Sequence, residues 1–167
     1  MRLLLMRHAN TEVAENKKDF ERVLTEQGKQ EAIQAAKFLH QYQIDKIIVS
    51  YVKRTMQTAS IIQEQVPAAE LQMVTELYEG SQEDIINLLT NQDDRSKHIL
   101  VIGHNPLIYT TILELVETDT KEYDVLVQSS MPTARIVIID FPEISDWHEI
   151  TSKKGKITKI FTPDTAH

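Results

Sequence analysis

The chain contains no cysteine, no long apolar run and no excess of positive charge. Because its 167 residues include no cysteine, disulfides, thiolate zinc ligands and cysteine nucleophiles are all excluded. No apolar stretch approaches the roughly 20 residues that span a bilayer. The apolar run from Leu3 to Met6 is also too short for a signal peptide. These absences predict a cytoplasmic protein that does not enter a membrane.

The charge balance is acidic. The 25 acidic residues exceed the 18 basic ones and give a net charge of −7, which argues against nucleic-acid binding because that binding depends on neutralising phosphates. A local cluster of basic groups can still form an anion site inside a cleft. The length, with 41% hydrophobic and 26% charged residues, predicts a single domain over residues 1–167 with a sizeable core.

Apolar runs alternate with amphipathic segments along most of the chain. The strand patterns cover 3–6, 44–50, 99–102 and 134–139, and residues 71–77 form a short strand or an extended segment. A predicted hairpin of 147–151 and 156–161 follows. The helical patterns cover 24–39, 55–65, 82–91 and 106–116, whereas the polar residues 118–131 are predicted as a loop. Since strand–helix alternation implies parallel crossovers, we expect a three-layer α/β/α sandwich. Its central sheet is mostly parallel, with antiparallel additions near the C-terminus.

Unusual polar residues follow three of the predicted strands. Arg7 and His8 end the first strand, Ser50 ends the second with Arg54 just beyond it, and Gly103-His104-Asn105-Pro106 follows a later strand. Parallel strands direct their carboxyl ends to one edge of the sheet, where α/β proteins bind ligands. We therefore expect these positions to converge into one pocket that holds two arginines and two histidines.

This set of side chains suits phosphoryl transfer. A phosphoryl group carries negative charge on three oxygens, and the planar fork of arginine binds two of them. A neutral imidazole can attack phosphorus and form a covalent phosphohistidine that water later hydrolyses. The residues predict His8 as the nucleophile and Arg7 as a phosphate ligand, without a metal ion or other cofactor. Taken singly, Arg7-His8 and Arg54 could be solvated surface residues. Asn105 is predicted to cap a helix whose first residue is Pro106, a role that is compatible with anion binding.

Four motifs, in this order, resemble the histidine phosphatase superfamily with its phosphoglycerate-mutase-like fold. Arg7-His8-Ala9 resembles the family's Arg-His-Gly motif, and Leu24-Thr25-Glu26-Gln27-Gly28 resembles its Leu-Thr-x-x-Gly helix start. The segment from Ser50 to Ala59 is similar to the second-arginine motif, and Gly103-His104-Asn105-Pro106 to the second-histidine motif. The small size and the segment Leu77-Tyr78-Glu79-Gly80 further resemble the SixA-type phosphohistidine phosphatases.

The resemblance implies a role for each matched residue. It makes His8 the nucleophile and makes Arg7, Arg54 and His104 the ligands of the phosphoryl group, with Asn10 and the backbone of Asn105 as further donors. Two positions depart from the family pattern. Ala9 stands in place of glycine, which would cost about 1 kcal/mol if the position needs a positive φ. Tyr51 replaces proline, which removes only rigidity at the helix start.

The leaving group separates two substrate classes. A phosphoester expels an alkoxide and gains roughly 10²- to 10⁴-fold from a general acid, whereas phosphohistidine expels an imidazole, which leaves more easily. In ester-cleaving relatives the acid is a Glu in a Leu-x-Glu context, which Leu77-Tyr78-Glu79 matches better than Glu76 or Glu83. Glu79 is therefore either a general acid or a solvated loop carboxylate.

Three functions follow from these alternatives. The short chain predicts an open pocket, and we expect a phosphatase that acts on phosphohistidine in the phosphotransfer domain of a signalling protein. A small phosphorylated metabolite, cleaved with Glu79 as the acid, is the alternative substrate. The third function, suggested by Ala9, is a phosphate-binding module without turnover.

Charged segments outside the motifs have two interpretations each. Residues 10–23 form either a solvated surface loop or a lid that faces the substrate. Lys153-Lys154-Gly155-Lys156 is either a solvated turn or a docking site for an acidic protein. The remaining histidines are expected in surface or packing roles: His40, His98, His148 and His167.

Overall fold

A six-stranded mixed sheet lies at the centre of the computed structural model, which describes residues 1–13 and 15–164. The strands are β1 (Arg2–Arg7), β2 (Lys46–Ser50), β3 (Glu70–Val74), β4 (His98–Gly103), β5 (Ile136–Asp140) and β6 (Lys156–Phe161). The α-helices are α1 (Glu26–Leu39), α2 (Lys53–Gln63), α3 (Glu76–Glu79), α4 (Gln82–Thr90), α5 (Leu107–Leu115) and α6 (Lys121–Ser129). The strand order is β3-β2-β4-β1-β5-β6.

Strand direction is uniform over four strands and reverses at each of the last two, β5 and β6. β1, β2, β3 and β4 are parallel neighbours, with Arg7 paired to Gly103 at the carboxyl end of β1 and β4. β5 is antiparallel to β1, and β6 is antiparallel to β5. The predicted sheet, mostly parallel with antiparallel strands near the C-terminus, is confirmed.

Both faces of the sheet are covered, which explains why β1 is a continuous apolar run. Leu3 to Met6 are fully buried, and successive side chains of the strand point to opposite faces. Leu3 and Leu5 join a core cluster with residues of α4, α5 and α6. Leu4 and Met6 join a second cluster with residues of α1 and α2. The predicted three-layer architecture is therefore confirmed.

The start of α1 packs directly against the loop that follows β1. Thr25 is the N-cap, and its side-chain oxygen accepts a hydrogen bond from Gly28 N at 3.0 Å. A Cβ atom on Gly28 would lie 2.0 Å from the carbonyl oxygen of Asn10. Only glycine permits this approach, so Gly28 fixes α1 against the segment that carries His8.

The prediction of a loop over residues 118–131 is wrong, because α6 occupies Lys121–Ser129. The helix begins after Thr120, whose side-chain oxygen accepts a hydrogen bond from Tyr123 N at 3.1 Å. Leu126 is its one fully buried residue. A helix that buries a single side chain leaves no apolar period in the sequence.

The predicted terminal hairpin is also wrong. Residues 147–151 do not pair with β6; Trp147–Glu149 forms a short 3₁₀ helix, and β6 pairs with β5 instead. Trp147 is fully buried, and its indole N–H donates to Ser96 O at 2.5 Å. The tryptophan therefore anchors a loop in the core. The predicted strand at 71–77 ends at Val74, since the next residues turn into α3.

The remaining findings concern the lysine-rich turn 153–156, membrane-spanning helices and His167. The lysine-rich turn is anchored to the end of α5, where Lys153 N donates to Glu114 O at 3.0 Å and its ammonium group donates to Leu113 O. Within the described residues, no helix combines the length and apolarity needed to cross a membrane. His167 lies outside the described residues.

Candidate active site

One pocket of about 460 Å³ opens at the carboxyl ends of β1, β2 and β4. Its lining consists of Arg7, His8, Asn10, Thr11, Asp19, Arg22, Arg54, Tyr78, His104, Asn105 and Thr133. Every site residue that the sequence predicts, except Glu79, is in this lining. The strand ends thus bring together side chains that lie up to about a hundred positions apart in the sequence.

His8 lies at the floor of the pocket and is 6% exposed. Its Nδ1 atom is 2.8 Å from the carbonyl oxygen of Ala9. Because a carbonyl only accepts hydrogen bonds, this contact assigns the proton to Nδ1 and leaves the lone pair of Nε2 free. Burial, and then the guanidinium groups of Arg54 and Arg7, lower the pKa of His8 to about 4. The ring is therefore neutral near pH 7.

His104 faces His8 across the pocket, with ring centroids 5.3 Å apart. Its Nε2 atom lies 2.9 Å from the hydroxyl of the fully buried Ser50, which fixes the ring from the end of β2. Burial, followed by the neighbouring His8, lowers the pKa of His104 to about 3. Its Nδ1 atom is buried and has no hydrogen-bond partner among the described residues.

Two predicted arginines are held by backbone carbonyls. Arg54 is 5% exposed, and its Nη1 donates to Asp19 O at 2.7 Å. Arg7 Nη1 donates to Met131 O at 3.1 Å. In the described part of the chain, the Nε atoms of both arginines are buried without an acceptor. Since an unsatisfied buried donor costs free energy, an oxyanion in this pocket would relieve that cost.

Asp19 and Arg22 also line the pocket, and the sequence did not identify either of them. The Asp19 carboxylate accepts hydrogen bonds from Arg22 Nη1 at 3.1 Å, Arg54 Nη2 at 2.9 Å and Tyr78 Oη at 2.6 Å. Tyr78, and then the two arginines, hold the pKa of Asp19 well below its ordinary value. The mixed charges of residues 10–23 are typical of a solvated loop, which concealed the fact that part of this loop faces the pocket.

Asn10 and Thr133 are tied together by a buried carboxylate. Glu31 of α1 is 1% exposed and accepts hydrogen bonds from Asn10 N at 2.9 Å and Thr133 Oγ1 at 3.0 Å. The Oδ1 atom of Asn10 accepts from Thr25 Oγ1. The amide Nδ2 is therefore the part of the Asn10 side chain that can donate to an anion.

Asn105 lines the pocket but does not cap α5, so its predicted capping role is wrong. Its Nδ2 donates to Met131 O at 2.8 Å, the same carbonyl that holds Arg7. Pro106, predicted at the first helical position, occupies the N-cap position without a side-chain cap. The Asn105 amide thus fixes the segment next to Arg7, and the helix starts one residue later than predicted.

Glu79 lies outside the pocket lining. Its Oε1 accepts a hydrogen bond from Tyr51 Oη at 2.8 Å, and both residues are exposed. Tyr51 in turn meets the ring of Tyr78 edge-on at 5.8 Å. The carboxylate is therefore placed at the outer rim, one residue away from a lining side chain.

Ala9, between two lining residues, adopts its backbone conformation without strain. The non-glycine residues with positive φ in the described chain are Ser130, Ala134 and Lys153, so the cost expected for Ala9 at positive φ does not arise. Ala9 is fully buried, and its N–H donates to Thr58 Oγ1 at 3.2 Å. The alanine therefore accommodates the turn that positions His8.

Comparison with known families identifies the family of the chain. The model of the histidine phosphatase superfamily (branch 1) matches residues 3–90, just over half of the chain. The matched region includes Arg7, His8 and Arg54. No curated protein sequence gave a match.

Solved structures share the fold. The SixA protein of Nakamurella multipartitia has a TM-score of 0.83 and 24% identity, covering 97% of this chain and 95% of its own. The SixA protein of Agrobacterium tumefaciens has a TM-score of 0.81 and 23% identity, covering 97% of each chain. The protein histidine phosphatase SixA in complex with tungstate has a TM-score of 0.76 and 22% identity, covering 98% of this chain and 97% of its own. At these identities the likeness establishes the common architecture.

Proposed function

Because this chain belongs to the histidine phosphatase superfamily (branch 1), we propose that it is a phosphatase that removes phosphate from phosphohistidine in a signalling protein. One observation carries the proposal. His8 is neutral, its Nδ1–H is committed to Ala9 O, and its free Nε2 shares a pocket with three guanidinium groups. This is the arrangement that nucleophilic attack on a phosphoryl group requires.

In the first step, the Nε2 lone pair of His8 forms a bond to phosphorus. The P–N bond of the substrate breaks, and its electron pair returns to the substrate nitrogen. In the second step, water attacks phosphorus, the bond to His8 Nε2 breaks, and its electron pair returns to Nε2. The proton that water loses leaves with inorganic phosphate. The Ala9 carbonyl keeps the Nδ1 proton in place throughout, so His8 returns to its starting tautomer.

The arginines stabilise the charge that develops on the transferring group. Arg7, Arg22 and Arg54 place three cations around the pocket, and their donors are positioned before the reaction begins. His104, held by Ser50, supplies a further ring nitrogen next to the same oxygens. These residues stabilise the negative charge that metal ions neutralise in other phosphoryl-transfer enzymes.

The acids near the pocket favour phosphohistidine over a phosphoester. Asp19 is the only carboxylate in the described lining, and its low pKa keeps it ionised. Glu79 is bonded to Tyr51 at the rim. Neither group is placed as a proton donor to an alkoxide, and an imidazole leaving group does not need one. Tungstate bound by a SixA protein supports an oxyanion site in this fold.

The test uses a phosphotransfer domain labelled with phosphate on its histidine. We expect wild-type protein to release the label and His8→Ala to leave it in place. His148→Ala, which changes an exposed histidine outside the pocket, should release it at the wild-type rate. Retention of the label by wild-type protein, or equal release by His8→Ala, would overturn the proposal.

A further inference from the structure

Asp19 stands at the mouth of the pocket, above the buried histidines. It lies in a short 3₁₀ helix, Asp19–Glu21, and its side chain is 49% exposed, whereas His8 and His104 are 6% and 8% exposed. In-line attack by His8 expels the leaving group on the side away from the nucleophile. A leaving group that departs from the floor therefore moves toward the mouth, where Asp19 is.

The Asp19 carboxylate has unused acceptor capacity. Its two oxygens provide about four lone-pair sites. Oδ2 accepts from Arg54 Nη2 and Tyr78 Oη, and Oδ1 accepts from Arg22 Nη1. One acceptor position on Oδ1 remains, on a half-exposed side chain that lines the pocket. Three donors fix the carboxylate in one orientation, so this position is preorganised.

A phosphorylated imidazole offers a donor for that position. One ring nitrogen carries the phosphoryl group, and the other carries a proton when the ring is cationic. From the protonated ring, P–N cleavage releases neutral imidazole; from the unprotonated ring, it would release an imidazolate anion. A carboxylate that accepts from this N–H stabilises the protonated ring, as a buried aspartate does for imidazolium in hydrolytic triads.

We propose that Asp19 is a substrate-contacting catalytic residue that selects phosphohistidine by accepting a hydrogen bond from the distal N–H of the substrate ring. The inference rests on the proposed function. When the P–N bond breaks, its electron pair goes to the proximal nitrogen of the substrate ring. The proton stays on the distal nitrogen, which faces Asp19. A phosphoester has no such N–H and receives no help from this ionised carboxylate.

Two guanidinium groups, a phenol and an imidazole face Asp19. The guanidinium groups are those of Arg22 and Arg54, and the bond to Asp19 raises the pKa of Tyr78 above its ordinary value. His104, across the pocket, has a pKa of about 3. A change in rate between about pH 6 and about pH 9 that depends on Asp19 therefore reports the proton on the substrate ring.

The test compares phosphohistidine with p-nitrophenyl phosphate, whose leaving group needs no proton. We expect Asp19→Asn to lower kcat/KM for phosphohistidine by roughly 10- to 100-fold more than for the aryl ester. The rate on phosphohistidine should also begin to fall at a lower pH in the variant, because the protonated ring loses its acceptor. Glu21→Gln removes a charge from the same turn, where its side chain has no hydrogen bond among the described residues, and it should change neither ratio.

The possible results distinguish the role of Asp19 from the proposed phosphohistidine phosphatase activity. Equal losses on both substrates, with an unchanged pH profile, would show that Asp19 only positions Arg22 and Arg54, and would overturn the assignment. Absence of wild-type turnover of phosphohistidine would overturn the proposed substrate class together with the inference.

Discussion

The floor and the rim of the pocket are built in opposite ways. The floor consists of His8, His104 and Arg54, which are at most 8% exposed and are fixed by backbone carbonyls or a buried hydroxyl. The rim consists of Asp19, Tyr51, Tyr78 and Glu79, which come from the loop after β1, the turn after β2 and α3. The rim side chains contact one another through hydrogen bonds and ring edges.

This difference separates two tasks. The floor is set by the ends of β1, β2 and β4, so under the proposed function the sheet itself determines where the phosphoryl group binds. The rim is set by exposed segments that can change without disturbing the core. We therefore assign phosphoryl transfer to the floor and recognition of the leaving group to the rim.

The largest effect should come from the floor, with Arg54→Met. Loss of this guanidinium removes preorganised donors from the transition state, and we expect kcat/KM to fall by roughly 10²- to 10³-fold for phosphohistidine and aryl phosphate alike. Steady-state kinetics on both substrates measures this. Lys53→Met removes the adjacent, exposed positive charge and should have little effect. A loss limited to one substrate would break the assignment of Arg54 to the floor.

The buried histidines of the floor should also make stability depend on pH. Folding lowers their pKa values from 6.5 to about 4 and about 3, so the unfolded chain binds protons that the folded chain does not. Their contribution is present above the unfolded pKa and is lost as the pH falls through the folded values. We expect the free energy of unfolding to decrease by roughly 2–4 kcal/mol between about pH 7 and about pH 5.

Urea denaturation at the two pH values measures this decrease. The double variant His8→Asn/His104→Asn lacks both titrating rings, and it should show a much smaller difference. An equal decrease in the double variant would assign the effect to other groups and would contradict the neutral state of the floor.

Gly28→Ala tests the close contact between α1 and the loop after β1, which connects the floor to the rim. The new Cβ would lie 2.0 Å from Asn10 O, so the loop after β1 must move. We expect a loss of roughly 1–3 kcal/mol in unfolding free energy and a severalfold loss in activity. Gln30→Ala, at an exposed position of the same helix, serves as the control in thermal denaturation and kinetics. Unchanged stability in Gly28→Ala would show that α1 does not pack closely against Asn10.

The smallest effect should come from the outer rim, with Glu79→Gln. Because Glu79 is bonded to Tyr51 and lies outside the lining, we expect less than about a twofold change on phosphohistidine. Hydrolysis of an alkyl phosphate, measured in parallel, sharpens the comparison. A large loss confined to that ester would favour the alternative, a small-molecule phosphomonoesterase with Glu79 as general acid.

The sequence predicts the floor better than the rim, for a physical reason. Buried strands are apolar runs, and polar residues at their ends stand out, which is why Arg7, His8, Arg54 and His104 could be placed in one pocket. Asp19 and Arg22 lie in a mixed-charge loop, and their ion pairs depend on how that loop folds over α2. Helix α6 was missed for a similar reason, since it buries only Leu126.

The most direct test of the account is a rapid-quench experiment with radiolabelled phosphohistidine substrate. We predict transient label on the wild-type protein, stable to alkali and labile to acid, and located on His8 by peptide mapping. The label should be absent from His8→Ala. Turnover of the substrate without label at His8, or label on another residue, would contradict the covalent mechanism.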